Sequence, residues 1–260
     1  MNQDLIEFDK YTDQLTEYVY ALKDRADESA LEVFSKMRNM PIDIVKKSDM
    51  FYIKDATEML IPSYLESVED FGVISPTNKK PIFHNRYVIP IKNTDGRILN
   101  LVGYSKEANE RYVYGTARYY RRRETMYGLE NLESAYDKGF AILTEGITDT
   151  IRIRSLGYDN CFATCGTHRS DFIMKQLNRC RYGVIKLPDR DAPGQKALKG
   201  WITYRGITLY VPVMFKDPDE FCRESEENCE ITKSYIEEAI KWLKLTEHKG
   251  ITTANEIVTM

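Results

Sequence analysis

Apolar residues collect in three short runs in the second half of the chain, Phe140 to Thr144, Tyr182 to Leu187 and Thr208 to Val213, with polar turn formers following each, at Glu145-Gly146, Pro188-Asp189 and Asp217-Pro218-Asp219. Runs of this length between turn signals predict buried β-strands. The first is followed by Glu145-Gly146 and by helical spacing at Ile147, Ile151 and Ile153 as far as Leu156. The second is followed by Pro188-Asp189-Arg190-Asp191-Ala192-Pro193-Gly194 and by helical spacing through Lys196, Leu198 and Trp201. A further strand is predicted at about 160–164, ending at Cys165-Gly166-Thr167. Strands alternating with helices imply crossover connections and a largely parallel sheet, whose ligands bind beyond the carboxyl ends of the strands.

The first half reads differently. Leu15, Val19 and Leu22, then Leu31, Phe34 and Met37, mark two helices between Asp13 and Asn39, with Asp27 and Ser29 as stop and start signals. Strands from Tyr87 to Ile91 and from Ile98 to Tyr104 are joined by Asn93-Thr94-Asp95-Gly96, which reads as a hairpin turn. Beyond Glu226, the residues Ile231, Tyr235, Ile236, Ala239, Ile240 and Leu243 share one face of an amphipathic helix. The polar, Thr-rich C-terminal end is expected to fray. The fold expected is α/β in three parts: a mixed α+β N-terminal basic subdomain over 1–134, a parallel-sheet metal-binding unit over 135–222, and a short C-terminal helical segment over 223–260.

Five carboxylates, Glu145, Asp189, Asp191, Asp217 and Asp219, fall just beyond the three apolar runs, so a parallel sheet brings them to one edge. Mg²⁺ takes oxygen ligands, keeps several waters and is usually held by a few carboxylates together with substrate phosphates, which points to phosphoryl transfer. Two ions, Mg²⁺ or Mn²⁺, would need at least this many carboxylates. Gly146 suits a turn where a side chain would obstruct approach, and Asp149, about one helical turn past Glu145, can point back to the same place. Plainer uses stand beside these. Asp217-Pro218-Asp219 also reads as a turn, and Asp149 as a carboxylate favoured at the positive end of its helix.

Charge is distributed unevenly. From Lys79 to Glu124 there are eleven Lys or Arg against four Asp or Glu, a local balance of +7 in a chain whose total is −3, so the remainder sums to −10. Tyr112, Tyr114, Tyr119 and Tyr120 are interleaved with Arg111, Arg118 and Arg121 to Arg123, a composition suited to a single-stranded nucleic acid, with cations for its backbone and rings for stacking. A solvated charge run and tyrosines packed on a sheet are the alternative. The pI near 5.8 argues against tight non-specific duplex binding. Cys161, Cys165 and His168 form a string that lacks the second pair a closed zinc site needs, and five cysteines without framework spacing fit a reducing cytosol. No apolar run approaches membrane-spanning length, and the acidic N-terminus is no signal peptide.

Glu145-Gly146-Ile147-Thr148-Asp149 followed by Asp189-Arg190-Asp191 resembles the TOPRIM domain of DnaG-type primases, type IA and II topoisomerases and some nucleases. The flanks resemble the bacterial DnaG-type primases in particular. Phe83-His84-Asn85-Arg86 leads into an apolar strand with Pro90-Ile91; Arg111-Tyr112, Tyr120 to Arg123, Met126 to Leu129, Gly157-Tyr158, Asp191 to Gly194 and Lys216 to Asp219 follow in the family's order. The likeness runs from about residue 80 to 222. It implies a primase RNA-polymerase core that reads a single-stranded DNA template and joins ribonucleoside triphosphates. It also implies that Glu145, Asp149, Asp189, Asp191, Asp217 and Asp219 form the metal site, with Glu145, Asp189 and Asp191 catalytic. Arg86, Arg111 and Arg122 would then be nucleotide or template contacts.

Departures are visible too. His84 stands where the family often has Arg, and Tyr104 where a Gly-Gly-Arg strand end is usual. The family's zinc-binding module and helicase-binding domain have no room here, so the resemblance implies a replicative helicase and a separate zinc-binding protein as partners in the bacterial cytoplasm. Compact systems, including those of viruses that infect bacteria, supply such functions from separate chains. The competing functions are a TOPRIM nuclease and a non-catalytic nucleic-acid-binding replication accessory protein.

Overall fold

The structure, a computed structural model, describes residues 3–165 and 171–260. Gly166, Thr167 and His168, which figure in the sequence expectations above, lie outside the described residues. The chain divides into two units, residues up to 37 with 41–120, and 38–40 with 121–260.

The first unit carries α1 (Gln3–Lys23), α2 (Ser29–Arg38), α3 (Ile42–Lys47) and a four-stranded antiparallel sheet in the order β1 (Phe51–Ile53), β2 (Arg86–Lys92), β3 (Ile98–Tyr104), β4 (Tyr112–Tyr114). Helix α1 starts well before the expected Asp13. It buries Tyr11, Leu15, Tyr18, Val19 and Leu22, one helical face, in a core shared with Phe71, Val88 and Leu101. The predicted hairpin is β2–β3. In its turn, Asn93 Oδ1 accepts hydrogen bonds from the amides of Asp95 (3.0 Å) and Arg97 (2.9 Å), and Gly96 takes the positive φ of 80° that a side chain resists. Pro90 sits in β2 beyond the stretch paired with β1, where its missing N–H costs no ladder bond.

The second unit holds α4 (Leu132–Lys138), β5 (Phe140–Thr144), α5 (Ile147–Ser155), β6 (Cys161–Ala163), α6 (Asp171–Leu177), β7 (Gly183–Leu187), α7 (Ala192–Leu198), β8 (Arg205–Tyr210), α8 (Pro218–Glu224), α9 (Glu226–His248) and β9 (Ala254–Thr259). Among the described residues its strands form a five-stranded parallel sheet in the order β6-β5-β7-β8-β9. Strands β5 and β7 are buried throughout. Alternate residues feed opposite faces: Leu143 and Val184 join a core with Leu132, Ile173 and Leu177, while Ile142 and Ile185 join one with Ile236, Ala239 and Leu243 of α9.

Three expectations change. The third strand is Arg205–Tyr210 instead of Thr208 to Val213, because Pro212 cannot donate to a ladder and Val213 and Met214 turn out to solvent at 82% and 81% exposure. The C-terminal end does not fray. Residues 254–259 form edge strand β9 along β8, and their polar character reflects solvent on the outer side. The segment from 223 is no separate part either, since α9 packs its apolar stripe onto the parallel sheet, and the division between units falls at 120/121.

Candidate functional site

Strands β5 and β7 are hydrogen-bonded neighbours with Thr144 opposite Leu187, so the residues after each strand emerge side by side. Glu145 Oε1 accepts a hydrogen bond from the Asp189 amide at 3.1 Å. Asp191 is the N-cap of α7, its Oδ1 accepting from the Gly194 amide at 2.9 Å. Asp217 caps α8 in the same way, accepting from the Glu220 amide at 2.8 Å. Each cap fixes one carboxylate oxygen and leaves the other for a further partner. Lys216, in the loop after β8, places Nζ 3.0 Å from Asp189 Oδ2 and 3.3 Å from Asp191 Oδ2.

Asp149 and Asp219 lie deeper, at 4% and 1% exposure. Asp149 Oδ1 accepts from the Asp219 amide at 3.1 Å. Asp219 is an ion-pair partner twice over, with Arg152 Nε at 3.1 Å from Oδ1 and Arg38 Nη1 on Oδ2. Both its oxygens are therefore committed to guanidinium groups, and a cation would have to displace one to reach it. Arg152 is itself buried, and donates also to the carbonyls of Arg38 and Asn39. Asp219 thus ties Arg38 and Arg152 to Asp149 in a buried cluster.

Crowding carboxylates in a dry place raises their proton affinity. Burial pushes Glu145 up to about 7, aided by the Asp189 charge. Burial pushes Asp189 up to about 6 against the pull of Lys216. Asp149 and Asp217 are raised for the same first reason, burial; the neighbouring charges of Asp217 and Asp189 add to it at Asp149, and that of Asp219 at Asp217. These groups carry their charge at a penalty that a cation would relieve.

Whether a divalent cation fits can be judged from the oxygens themselves. Asp189 Oδ1 is buried and has no hydrogen-bond partner among the described residues. Two glycines keep the carboxylates accessible to one another: a Cβ at Gly194 would lie 2.6 Å from Glu145 Oε1 and closer still to the Asp189 carbonyl oxygen, and one at Gly146 would run into Asp149 Oδ2. Among the described residues no three acidic, thiol or imidazole side chains make a ready-made cage. An open carboxylate set with a bare buried oxygen suits a hard ion that keeps water and shares phosphate oxygens.

The basic residues are placed less uniformly. Arg86, in the first unit, is 9% exposed and donates from Nη1 to the Arg111 carbonyl at 3.2 Å, while Arg111 is exposed. Arg122, in the second unit, donates from Nε and Nη2 to the Cys165 carbonyl at 3.0 and 2.6 Å. Tyr119 packs edge-on against Tyr11, and Tyr112 packs at a tilt against Tyr104, so these rings serve the first unit's packing. Sequence reasoning gave Lys216 no role, since a lysine preceding an Asp-Pro-Asp turn carries no signal that it folds back onto Asp189 and Asp191. Arg190 was missed too. It stacks on Tyr210 with its guanidinium 5.0 Å from the ring centre, donates to the Val211 carbonyl, and joins its amide to the Lys216 carbonyl at 2.8 Å.

A family model described as Toprim-like matches residues 142–222. The DNA primase of Aquifex aeolicus is 30% identical over 211 residues, covering 74% of this chain and 42% of that protein, and the DNA primase of Thermotoga maritima is 29% identical over 174 residues, covering 62% and 31%. The chain thus spans less than half the length of these curated relatives. In structure, the zinc-binding and RNA-polymerase domains of the Aquifex aeolicus primase superpose with a TM-score of 0.72 at 24% identity, covering 89% of this chain and 61% of that one. A DnaG primase catalytic domain bound to ssDNA gives 0.72 at 17% identity, covering 92% and 84%.

Proposed function

This chain belongs with the catalytic cores of the bacterial DnaG-type primases, and from that premise we propose that it synthesises short RNA primers on single-stranded DNA from ribonucleoside triphosphates. The reaction is nucleotidyl transfer: a 3′-hydroxyl attacks the α-phosphate of the incoming triphosphate and pyrophosphate leaves. The observation that carries the reading is the meeting of Glu145 with Asp189 and Asp191 at the ends of β5 and β7, around a buried oxygen with no hydrogen-bond partner among the described residues.

Glu145, Asp189 and Asp191 would hold a divalent ion, Mg²⁺ or Mn²⁺, with the Asp217 charge acting on Asp189. When bound, such an ion favours ionisation of the attacking hydroxyl and neutralises charge on the attacking and leaving oxygens. The chain's own contribution is position. The α7 and α8 caps fix Asp191 and Asp217, the Glu145–Asp189 hydrogen bond fixes two loops against each other, and the Arg152–Asp219 pair braces Asp149 from behind. Arg122 and Arg111 are the cations assigned to template or nucleotide phosphate.

The test is synthesis itself. With Mg²⁺ or Mn²⁺, a single-stranded template and ribonucleotides, the chain should make short RNA, and Asp189→Asn should abolish it. Template-dependent products that persist in Asp189→Asn would overturn the assignment, and metal-dependent DNA cleavage without nucleotides would replace it with a nuclease.

A further inference from the structure

Lys216 is a cation already seated among the acids. Its Nζ lies between Asp189 Oδ2 and Asp191 Oδ2, at 3.0 and 3.3 Å. Asp191 Oδ1 is taken by the Gly194 amide, so Asp191 has Oδ2 to offer an ion, whereas Asp189 has its bare Oδ1 besides. A divalent ion that draws on both residues therefore needs Asp191 Oδ2, an oxygen the ammonium holds, and meets the same ammonium beside Asp189. At metal–oxygen distances of about 2.1 Å it would also sit within a few ångströms of that like charge, a strongly repulsive arrangement.

The lysine is built to yield. Its backbone is anchored on both sides, the amide donating to Glu220 Oε2 at 2.7 Å and the carbonyl accepting from the Arg190 amide at 2.8 Å. Its side chain is 48% exposed, on a flexible four-carbon stem. The ammonium can therefore leave without moving the loop that carries Asp217. We propose that Lys216 is a displaceable internal cation, holding the Asp189–Asp191 loop in place until a divalent metal ion takes its position. The proposal rests on the metal-site reading above and adds a competition between two cations, lysine and metal, for Asp191 Oδ2 and the space beside Asp189.

Direct Mn²⁺ binding tests it without any turnover. Free Mn²⁺ is followed by electron paramagnetic resonance during titration of the full chain at pH 8.5, above the range in which Glu145 and Asp189 take up protons. Lys216→Met should bind Mn²⁺ roughly tenfold or more tightly than the parent chain, the effect of removing one competing charge. It should also melt at a lower temperature in chelator and regain the difference on adding Mn²⁺. Lys216→Arg, which keeps a cation on a comparable stem, should bind Mn²⁺ about as the parent does, and it guards against a fold lost in the Met variant. Equal or weaker binding by a folded Lys216→Met would overturn the proposal while leaving the metal site intact. Failure of both parent and variant to bind Mn²⁺ would remove the site itself, and with it the polymerase reading.

Discussion

Glu145 and Asp189, 44 residues apart in the chain, meet in a 3.1 Å hydrogen bond from the Asp189 amide to Glu145 Oε1. That contact follows from the parallel pairing of β5 with β7, and it brings two carboxylates together where burial opposes their ionisation. Several consequences can be measured.

Stability of the metal-free chain should fall as pH rises. Glu145 titrates at about 7 in the fold against an ordinary 4.5, so between those values the folded chain binds more protons than the unfolded one, and raising the pH favours unfolding. Asp189, at about 6 against 3.8, acts in the same direction over a lower window. Melting in chelator should show a decline of a few degrees between pH 4.5 and 7, on the order of 2–4 °C per kcal/mol for a chain of this size. Glu145→Gln should flatten that slope; a slope unchanged in the variant would mean the carboxylate is not held in a costly place.

Gly194 should tolerate no side chain. A Cβ there meets Glu145 Oε1 and the Asp189 carbonyl, inside the turn that presents both acids. Gly194→Ala should lower primer synthesis by about tenfold or more while circular dichroism stays that of the parent, since a misplacement of about 1 Å at a reacting centre can cost two orders of magnitude. Full activity in the alanine variant would show that the turn is looser than described.

The Arg152–Asp219 pair is expected to matter for stability first. Replacing Asp219 by Asn leaves two guanidinium groups, one of them fully buried, without their shared counter-charge. Removing one partner of a buried pair costs about 3–5 kcal/mol. Thermal melting of Asp219→Asn at neutral pH should show that loss with or without Mn²⁺, and a loss that appears only with Mn²⁺ would instead make Asp219 a ligand.

Lys186, 6% exposed in the middle of β7, gives the opposite pH signature. Among the described residues its Nζ donates to neutral partners, Asn255 Oδ1 at 3.0 Å and Thr203 Oγ1 at 3.3 Å, and burial pulls its pKa down to about 8 from 10.5. Between those values the folded chain binds fewer protons than the unfolded one, so this group's contribution grows more favourable as pH rises. Lys186→Met should raise the melting temperature at pH 7, with a gain that shrinks toward pH 10.5. A lower melting temperature at pH 7 would mean that the amine's hydrogen bonds outweigh its desolvation.

Much of the second unit was legible in sequence because its central strands are buried on both faces and announce themselves as apolar runs. Phe140–Thr144 and the helix from Ile147 are found where the pattern puts them. The convergence of Glu145 with Asp189 was legible too, since a parallel sheet brings its strand ends to one edge. Strand β9 was not. An edge strand is specified by backbone pairing with β8, and Asn255, Glu256 and Ile257 are exposed, so composition alone suggests a tail. Nor could residue type reveal which acid is spoken for. Asp217 and Asp219 differ by two positions, yet one caps a helix and the other is clamped by Arg38 and Arg152, and those arginines lie far away in the chain.

The most direct test of the central claim is anomalous diffraction from crystals of the chain soaked with Mn²⁺. The account predicts a manganese peak about 2.1 Å from carboxylate oxygens of Asp189 together with Glu145 or Asp191, and the Lys216 ammonium turned away from it. Crystals that bind manganese elsewhere, or show none between the ends of β5 and β7, would contradict it.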